Sequence, residues 1–63
     1  GNRLILPERS DIQEILICNS MGEDISRMRY HHEISLELLP KGFYLVYALN
    51  KDGKKTLIGT ILN

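Results

Sequence analysis

Apolar and polar residues alternate along the chain in short runs that have the length of β-strands. The clearest run is His32–Leu39, in which Ile34, Leu36 and Leu38 fall on one side and polar residues fall on the other. Successive side chains of a strand point to opposite faces, so a period of two is typical of a strand with one buried face. The pattern predicts such a strand over 32–39.

The segment Phe43–Leu49 is apolar at every position. A strand of this kind needs cover on both sides, which predicts a central place in its sheet. One face would carry Phe43, Leu45, Tyr47 and Leu49, and the other would carry Tyr44, Val46 and Ala48. The stripe Phe43, Leu45 and Tyr47 has two interpretations: it fills the core, or it forms a partner surface that so short a chain is unable to cover.

The segment Ile12–Asn19 fits two kinds of structure. Ser10 or Asp11 is a suitable helix cap, and Glu14 stands near the third helical position. However, a helix here would have about two turns before the next turn signal, and such short helices are weak. The β-rich sequence therefore favours a strand that is apolar on both faces.

Three more segments have the composition of strands. Arg3–Leu6 is a short apolar run that should end at Pro7, because proline lacks the N–H of a sheet ladder. Asp24–Tyr30 alternates irregularly, which indicates a bulge or a break. Thr56–Leu62 is the closing strand, with Gly59 marking a bulge or a close approach and with one face formed by Thr56, Ile58 and Thr60.

Turn residues separate these segments about every ten residues. Asn19–Gly22 is typical of a hairpin turn in which Gly22 takes a positive φ, and Leu39–Gly42 places Pro40 and Gly42 in a second turn. Asp52 and Gly53 form the strongest hairpin signal. No internal repeat stands out. The sum is about six short strands, which predicts a small antiparallel β-sandwich or barrel, with 1–63 as a single domain.

Composition excludes several classes of protein. The 63 residues carry 8 basic and 8 acidic side chains, so the chain lacks the basic footprint of a nucleic-acid-binding protein. No run approaches the roughly 20 apolar residues that span a bilayer. The single cysteine excludes an internal disulfide. The leading Gly1 resembles a protease-cleavage scar, from which we expect the natural chain to begin upstream.

The residues that carry chemistry in other proteins have a more ordinary explanation here. Adjacent residues of a strand point to opposite faces, so His31 and His32 do not chelate one metal ion there. Cys18 lacks a neighbouring base and is expected to be a small buried hydrophobe. The carboxylates Glu33 and Glu37 imply no cleft of the glycosidase kind. The cluster Lys51, Lys54 and Lys55 is expected to be a solvated turn that guards a sheet edge. We therefore expect no enzyme activity and no cofactor.

Three stretches together resemble a known family. They are Ile15–Ile25, then Ile34–Val46 with its Gly-x-Tyr-x-Val motif, and then Asn50–Thr56. In this combination the chain resembles the C-terminal sorting domain of the type IX (Por) secretion system of Bacteroidetes, or a shortened relative of it, over Ile12–Leu62. The resemblance implies an immunoglobulin-like sandwich, turn roles for Gly22 and Gly42, and core positions for Tyr44 and Val46.

Two functions are expected from these observations. The resemblance implies a non-catalytic sorting or attachment domain of an exported protein, recognised by a secretion machine in the periplasm or at the cell surface. The alternative is a β-module that binds a protein partner or a second copy of itself, with Phe43, Leu45 and Tyr47 as the interface and a homodimer as the product.

Overall fold

The computed structural model of the chain describes residues 3–6 and 11–63. This part of the chain contains six strands and no helix, which confirms the predicted all-β class. The strands are β1 (Arg3–Ile5), β2 (Ile12–Asn19), β3 (Asp24–Arg29), β4 (Glu33–Ser35), β5 (Phe43–Asn50) and β6 (Lys55–Leu62).

The six strands form two antiparallel sheets. The larger sheet has the order β3-β2-β5-β6, and the smaller sheet consists of β1 and β4. One face of the larger sheet packs against the smaller sheet, and the core between them contains Leu6, Ile15, Ile17, Ile34, Leu36, Tyr44, Val46 and Ile61. We call this side of the larger sheet the inner face and the opposite side the outer face. The arrangement is a small β-sandwich, as expected.

The strand assignment of Ile12–Asn19 is correct, and β2 and β5 are the two central strands of the larger sheet. They are antiparallel neighbours, with Ile17 opposite Val46. Ile17 and Val46 are 1% and 0% exposed. The central place predicted for Phe43–Leu49 is therefore correct.

Both edge strands of the larger sheet contain a β-bulge. In β6 the extra residue is Ile58, because Leu57 lies opposite Tyr47 while Gly59 lies opposite Val46. The bulge predicted at Gly59 is thus present. The expected common face for Thr56, Ile58 and Thr60 is wrong, because one extra residue reverses the alternation beyond it. Thr60 therefore shares the outer face with Leu57.

The prediction of a strand over 32–39 is correct only for Glu33–Ser35. Ile34 and Leu36 are buried as predicted, but Leu38 is 97% exposed and does not share their face. The Leu39 N–H donates to the Leu36 carbonyl at 3.1 Å, so the chain has already turned. The reason is that β4 ends at Ser35 and the chain turns there, so the alternation does not continue to Leu38.

The segment around Pro40 and Gly42 is held by hydrogen bonds to Asn63. The backbone of Gly42 exchanges two hydrogen bonds with Asn63, at 3.0 and 2.9 Å. The Asn63 side-chain amide donates to the Leu39 carbonyl at 2.8 Å, and the Tyr44 hydroxyl donates to the Pro40 carbonyl. Pro40 and Gly42 thus lie in the predicted connection, which is anchored to β5 and to Asn63.

The two hairpins of the larger sheet have the same turn. In Asn19–Glu23 and in 50–54 the first asparagine begins the turn and a glycine stands three residues later. Gly22 and Gly53 have φ values of 84° and 82°, a region that other residues adopt at a steric cost. The predicted turn roles of Gly22, Asp52 and Gly53 are confirmed. The short pattern Asn-x-x-Gly therefore occurs in both turns, although no internal repeat was expected.

Candidate protein-binding face

The outer face of the larger sheet has an apolar centre and one charged border. Strand pairing places its side chains in rows that run across the four strands. In the middle row Arg27, Leu16, Tyr47 and Leu57 lie side by side. The neighbouring rows contain Asp24, Cys18, Leu45 and Thr60 on one side, and Arg29, Glu14, Leu49 and Lys55 on the other.

A second, smaller hydrophobic cluster lies on this outer face. It consists of buried Leu16, Cys18 and Leu49, with Leu45 and Tyr47 packed against them and half-buried. Within residues 3–6 and 11–63, every strand outside the larger sheet belongs to the small sheet on the inner side. In this part of the chain, neighbouring side chains alone shield the second cluster from solvent.

Exposed apolar side chains continue this cluster toward β6. Phe43 is 45% exposed, Leu57 is 51% exposed and Leu62 is 86% exposed. Phe43 and Leu62 lie opposite each other in the register of β5 and β6. The Lys55 ammonium lies 4.3 Å from the centroid of the Tyr47 ring, where it covers part of that ring through a cation–π contact.

The candidate interface residues Phe43, Leu45 and Tyr47 all lie on the outer face. None of the three belongs to the cluster between the sheets, whereas Leu45 and Tyr47 pack against the second cluster. Sequence reasoning missed Leu57 and Leu62 as members of the same surface. The bulge at Ile58 decides on which face they lie, and pattern counting along a strand does not include it.

The charged border of the outer face contains an ion pair between β3 and β2. The Arg27 guanidinium donates two hydrogen bonds to the Glu14 carboxylate, each at 3.0 Å, from β3 to β2. This hydrogen bonding, together with the positive charges of Arg27 and Arg29, holds the pKa of Glu14 below its usual value. The border is therefore charged, and the negative charge of Glu14 is paired with the positive charge of Arg27.

Cys18 lies on the outer face but is 0% exposed. Its thiol contacts the Asp24 carboxylate, with 3.5 Å between sulfur and oxygen. Burial, the hydrogen bond to Asp24 and the negative charge of Asp24 raise the pKa of the Cys18 thiol. A raised pKa and a buried sulfur disfavour the thiolate that nucleophilic catalysis requires, which fits a small buried hydrophobe.

The remaining polar candidates lie away from this face. His31 and His32 are exposed in the connection between β3 and β4. The Glu33 carboxylate forms an ion pair with Arg3 on the neighbouring strand β1. Glu37 lies in the turn after β4, so these two glutamates do not form a catalytic pair. Among the described residues there is no group of three or more His, Cys, Asp or Glu that could hold a metal ion.

The three lysines at the last hairpin are separated by the fold. Lys51 and Lys54 belong to the exposed turn, as expected. Lys55 instead begins β6 and covers Tyr47 on the outer face.

Comparison with known proteins gives no relative from which a function could be transferred. No protein-family model, curated protein or solved structure matches the chain. Within the described residues there is no long apolar helix of the kind that crosses a membrane.

Proposed function

We propose that the chain is a non-catalytic protein-binding β-sandwich domain whose binding surface is the outer face of the larger sheet. The observation that supports this is the group of exposed apolar side chains Phe43, Leu57 and Leu62 around half-buried Leu45 and Tyr47. Contiguous exposed apolar area on a protein surface is typical of an interaction site, whereas isolated exposed apolar residues are ordinary.

The shape of the surface favours a protein partner over a small molecule. A flat sheet face does not enclose a ligand, whereas ligand pockets bury most of the surface of the molecule they hold. A second sheet packs on such a face at a distance of about 10 Å, through interdigitating side chains. A self-associating partner supplies such a sheet directly, so a homodimer is the simplest form of this proposal.

Sedimentation equilibrium over a wide concentration range tests this form of the proposal. We expect the wild-type chain to self-associate and Leu62→Lys to weaken the association at least tenfold, because the change places a charge in the apolar surface. Leu38→Lys is the matched control, since Leu38 is a leucine of similar exposure, 97% against 86%, that lies outside the outer face. Equal association of wild type and both variants would show that the outer face is not the contact.

The second candidate is the sorting or attachment domain of a protein exported by the type IX secretion system of Bacteroidetes. Its support is the resemblance over Ile34–Val46. In the structure this segment connects β4 with β5 and is held together by the hydrogen bond from Tyr44 to Pro40. Tyr44 and Val46 are buried, 5% and 0% exposed, in the positions that the resemblance implies. In this role the partner is the secretion machinery.

A fusion experiment tests the sorting role. We expect a passenger protein that carries residues 1–63 at its C-terminus to reach the cell surface of a competent bacterial host. The same passenger without the chain should remain in the periplasm. Retention of the full fusion in the periplasm would reject the sorting role and leave protein binding without export as the function.

A further inference from the structure

The outer face has chemically different ends along the strand direction. Of the three rows that cross all four strands, the first contains the Asp24 carboxylate, together with uncharged Cys18, Leu45 and Thr60, and Phe43 and Leu62 continue the face beyond it on β5 and β6. The row at the other end contains Arg29 and Lys55. Glu14 also lies in that row, but its carboxylate is occupied by the two hydrogen bonds from Arg27. The face is therefore negative at one end and positive at the other.

We infer that the partner of this face is a second copy of the chain, stacked outer face to outer face with the two sets of strands antiparallel. The inference rests on the proposed function. The two-fold axis that relates the two copies lies between their larger sheets and runs perpendicular to the strands. This operation exchanges the two ends of the face, so Asp24 of each copy lies opposite Arg29 of the other.

The other symmetric arrangement is electrostatically unfavourable. A two-fold axis parallel to the strands keeps the ends of the face together and exchanges β3 with β6. It would place Arg29 of one copy opposite Lys55 of the other, twice in each dimer. The antiparallel arrangement has one like-charge contact, between the two Arg27 side chains, but each Arg27 is hydrogen-bonded to Glu14 of its own copy. Its two attractive contacts between Asp24 and Arg29, against two repulsive contacts between Arg29 and Lys55, favour the antiparallel arrangement.

The apolar centre is compatible with the antiparallel arrangement. The middle row, which contains Arg27, Leu16, Tyr47 and Leu57, lies near the axis and faces the same row of the second copy. Leu45 then lies opposite Leu49 of the second copy, because the rows on either side of the middle are exchanged. Leu45, Tyr47 and Leu57 thereby obtain cover, Phe43 and Leu62 lie beside the β5–β6 turn of the second copy, and the charged border of β3 lies at the rim.

The size of the face indicates a weak dimer. Three strands of eight residues and one of six, about 4.8 Å apart and with a rise of about 3.3 Å per residue, form a face of about 480 Å². Two such faces bury about 1,000 Å², which is the lower limit for a specific protein interface. The dimer should therefore depend strongly on protein concentration.

Edge-to-edge pairing through β6 is the less favoured mode of self-association. Apart from Lys55, the residues of β6 are uncharged, so the strand lacks the charged side chains that protect many sheet edges. However, the bulge at Ile58 interrupts the regular ladder in the middle of the strand. Bulges of this kind disfavour pairing with a further strand, so the face is the better surface.

Charge reversal tests the orientation. We expect Asp24→Arg and Arg29→Asp each to weaken self-association by about 10- to 100-fold, because each homodimer would contain two like-charge pairs. An equimolar mixture of the two variants should dimerise as well as the wild type, since every pair in the mixed dimer is again oppositely charged. Lys51→Asp is the control for charge reversal in an exposed turn away from the face.

The outcomes separate this inference from the proposed function. Restored association in the mixture supports the antiparallel dimer. If neither variant weakens association while Leu62→Lys abolishes it, the orientation is wrong and the protein-binding face stands. If Leu62→Lys also has no effect, both the orientation and the face are wrong. A wild-type chain that stays monomeric at millimolar concentration overturns the dimer, and the fusion experiment then decides the sorting role.

Discussion

Asn19 and Asn50 hold the two hairpins of the larger sheet with the same set of hydrogen bonds. The Asn19 side-chain oxygen accepts from the backbone N–H groups of Met21 and Glu23, at 3.0 and 2.9 Å. The Asn50 oxygen accepts in the same way from Asp52 and Lys54, at 3.0 and 2.8 Å. In each turn the glycine N–H donates to the backbone carbonyl of the asparagine, at 3.0 and 2.9 Å. Asparagine side chains commonly stabilise turns in this way.

Replacing Asn50 by alanine should destabilise the fold by about 1–2 kcal/mol, because two backbone N–H groups lose their acceptor. Asn50→Asp retains a side-chain oxygen at the same position and should be close to wild type. Urea denaturation of the three proteins measures the difference in the free energy of unfolding. If the aspartate variant is as unstable as the alanine variant, the side-chain oxygen is not what stabilises the turn.

Two glycines provide a test of backbone conformation. Gly53 has a φ of 82°, so Gly53→Ala should cost about 1–2 kcal/mol even though a methyl group there would have open space. Gly59 also has open space for a methyl group but no positive φ, so Gly59→Ala should be within about 0.5 kcal/mol of wild type. Chemical denaturation distinguishes the two. Equal costs would mean that φ at Gly53 is not the cause.

The ion pair between Glu14 and Arg27 should make the stability depend on pH in the acidic range. The pKa of Glu14 is lowered in the folded chain, mainly by the hydrogen bonds from Arg27. Its contribution is therefore present above the unfolded-state pKa and is lost as the pH falls through the lower folded-state pKa. Because the pair is at the surface, the effect should be small and should decrease with added salt.

The measurement for this pair is the urea midpoint of the wild-type chain and of Glu14→Gln between pH 7 and pH 2. Glu14→Gln should lose part of the dependence of stability on acidic pH. The part that remains comes from other carboxylates. Asp52→Asn is a matched control, because Asp52 lies in the exposed turn away from this pair. Identical pH profiles for the wild type and Glu14→Gln would contradict the assignment.

The Cys18 thiol should react slowly with alkylating reagents in the folded chain. It is fully buried, and its raised pKa reduces the thiolate fraction at neutral pH. Reaction with iodoacetamide, followed by mass spectrometry, should be much faster in urea than in buffer. The folded-state rate should also rise only at a higher pH than the rate of the unfolded chain. A native rate equal to the unfolded rate would mean that Cys18 is accessible.

The same pKa shift has a consequence for stability in the alkaline range. Because burial raises the pKa of Cys18, the folded state disfavours the thiolate relative to the unfolded state. Stability from this group is intact below the unfolded-state pKa and decreases as the pH rises toward the folded-state pKa. Cys18→Ser is not a suitable control, since it buries a hydroxyl group, whereas Cys18→Ala removes the titrating group without adding a polar one.

The elements that depend on local chemistry are predictable from the sequence alone. Continuous apolar runs identified β2 and β5 as strands, and asparagine, aspartate and glycine identified both hairpin turns, because these signals act within a few residues. The burial of Tyr44 and Val46 likewise follows from the apolar pattern of β5. The burial of Ile34 and Leu36 also follows from their alternation with polar residues.

Which faces of the strands are covered depends on the tertiary structure. Leu38 continues the alternation of Ile34 and Leu36 in the sequence, yet it is exposed because β4 ends at Ser35 and the chain turns before Leu38. Leu57 and Leu62 belong to the outer face because the bulge at Ile58 shifts the alternation in β6. The smaller sheet packs on one side of the larger sheet, and no strand of the described residues packs on the other side. Local pattern is read along one strand, whereas burial depends on what lies opposite that strand in space.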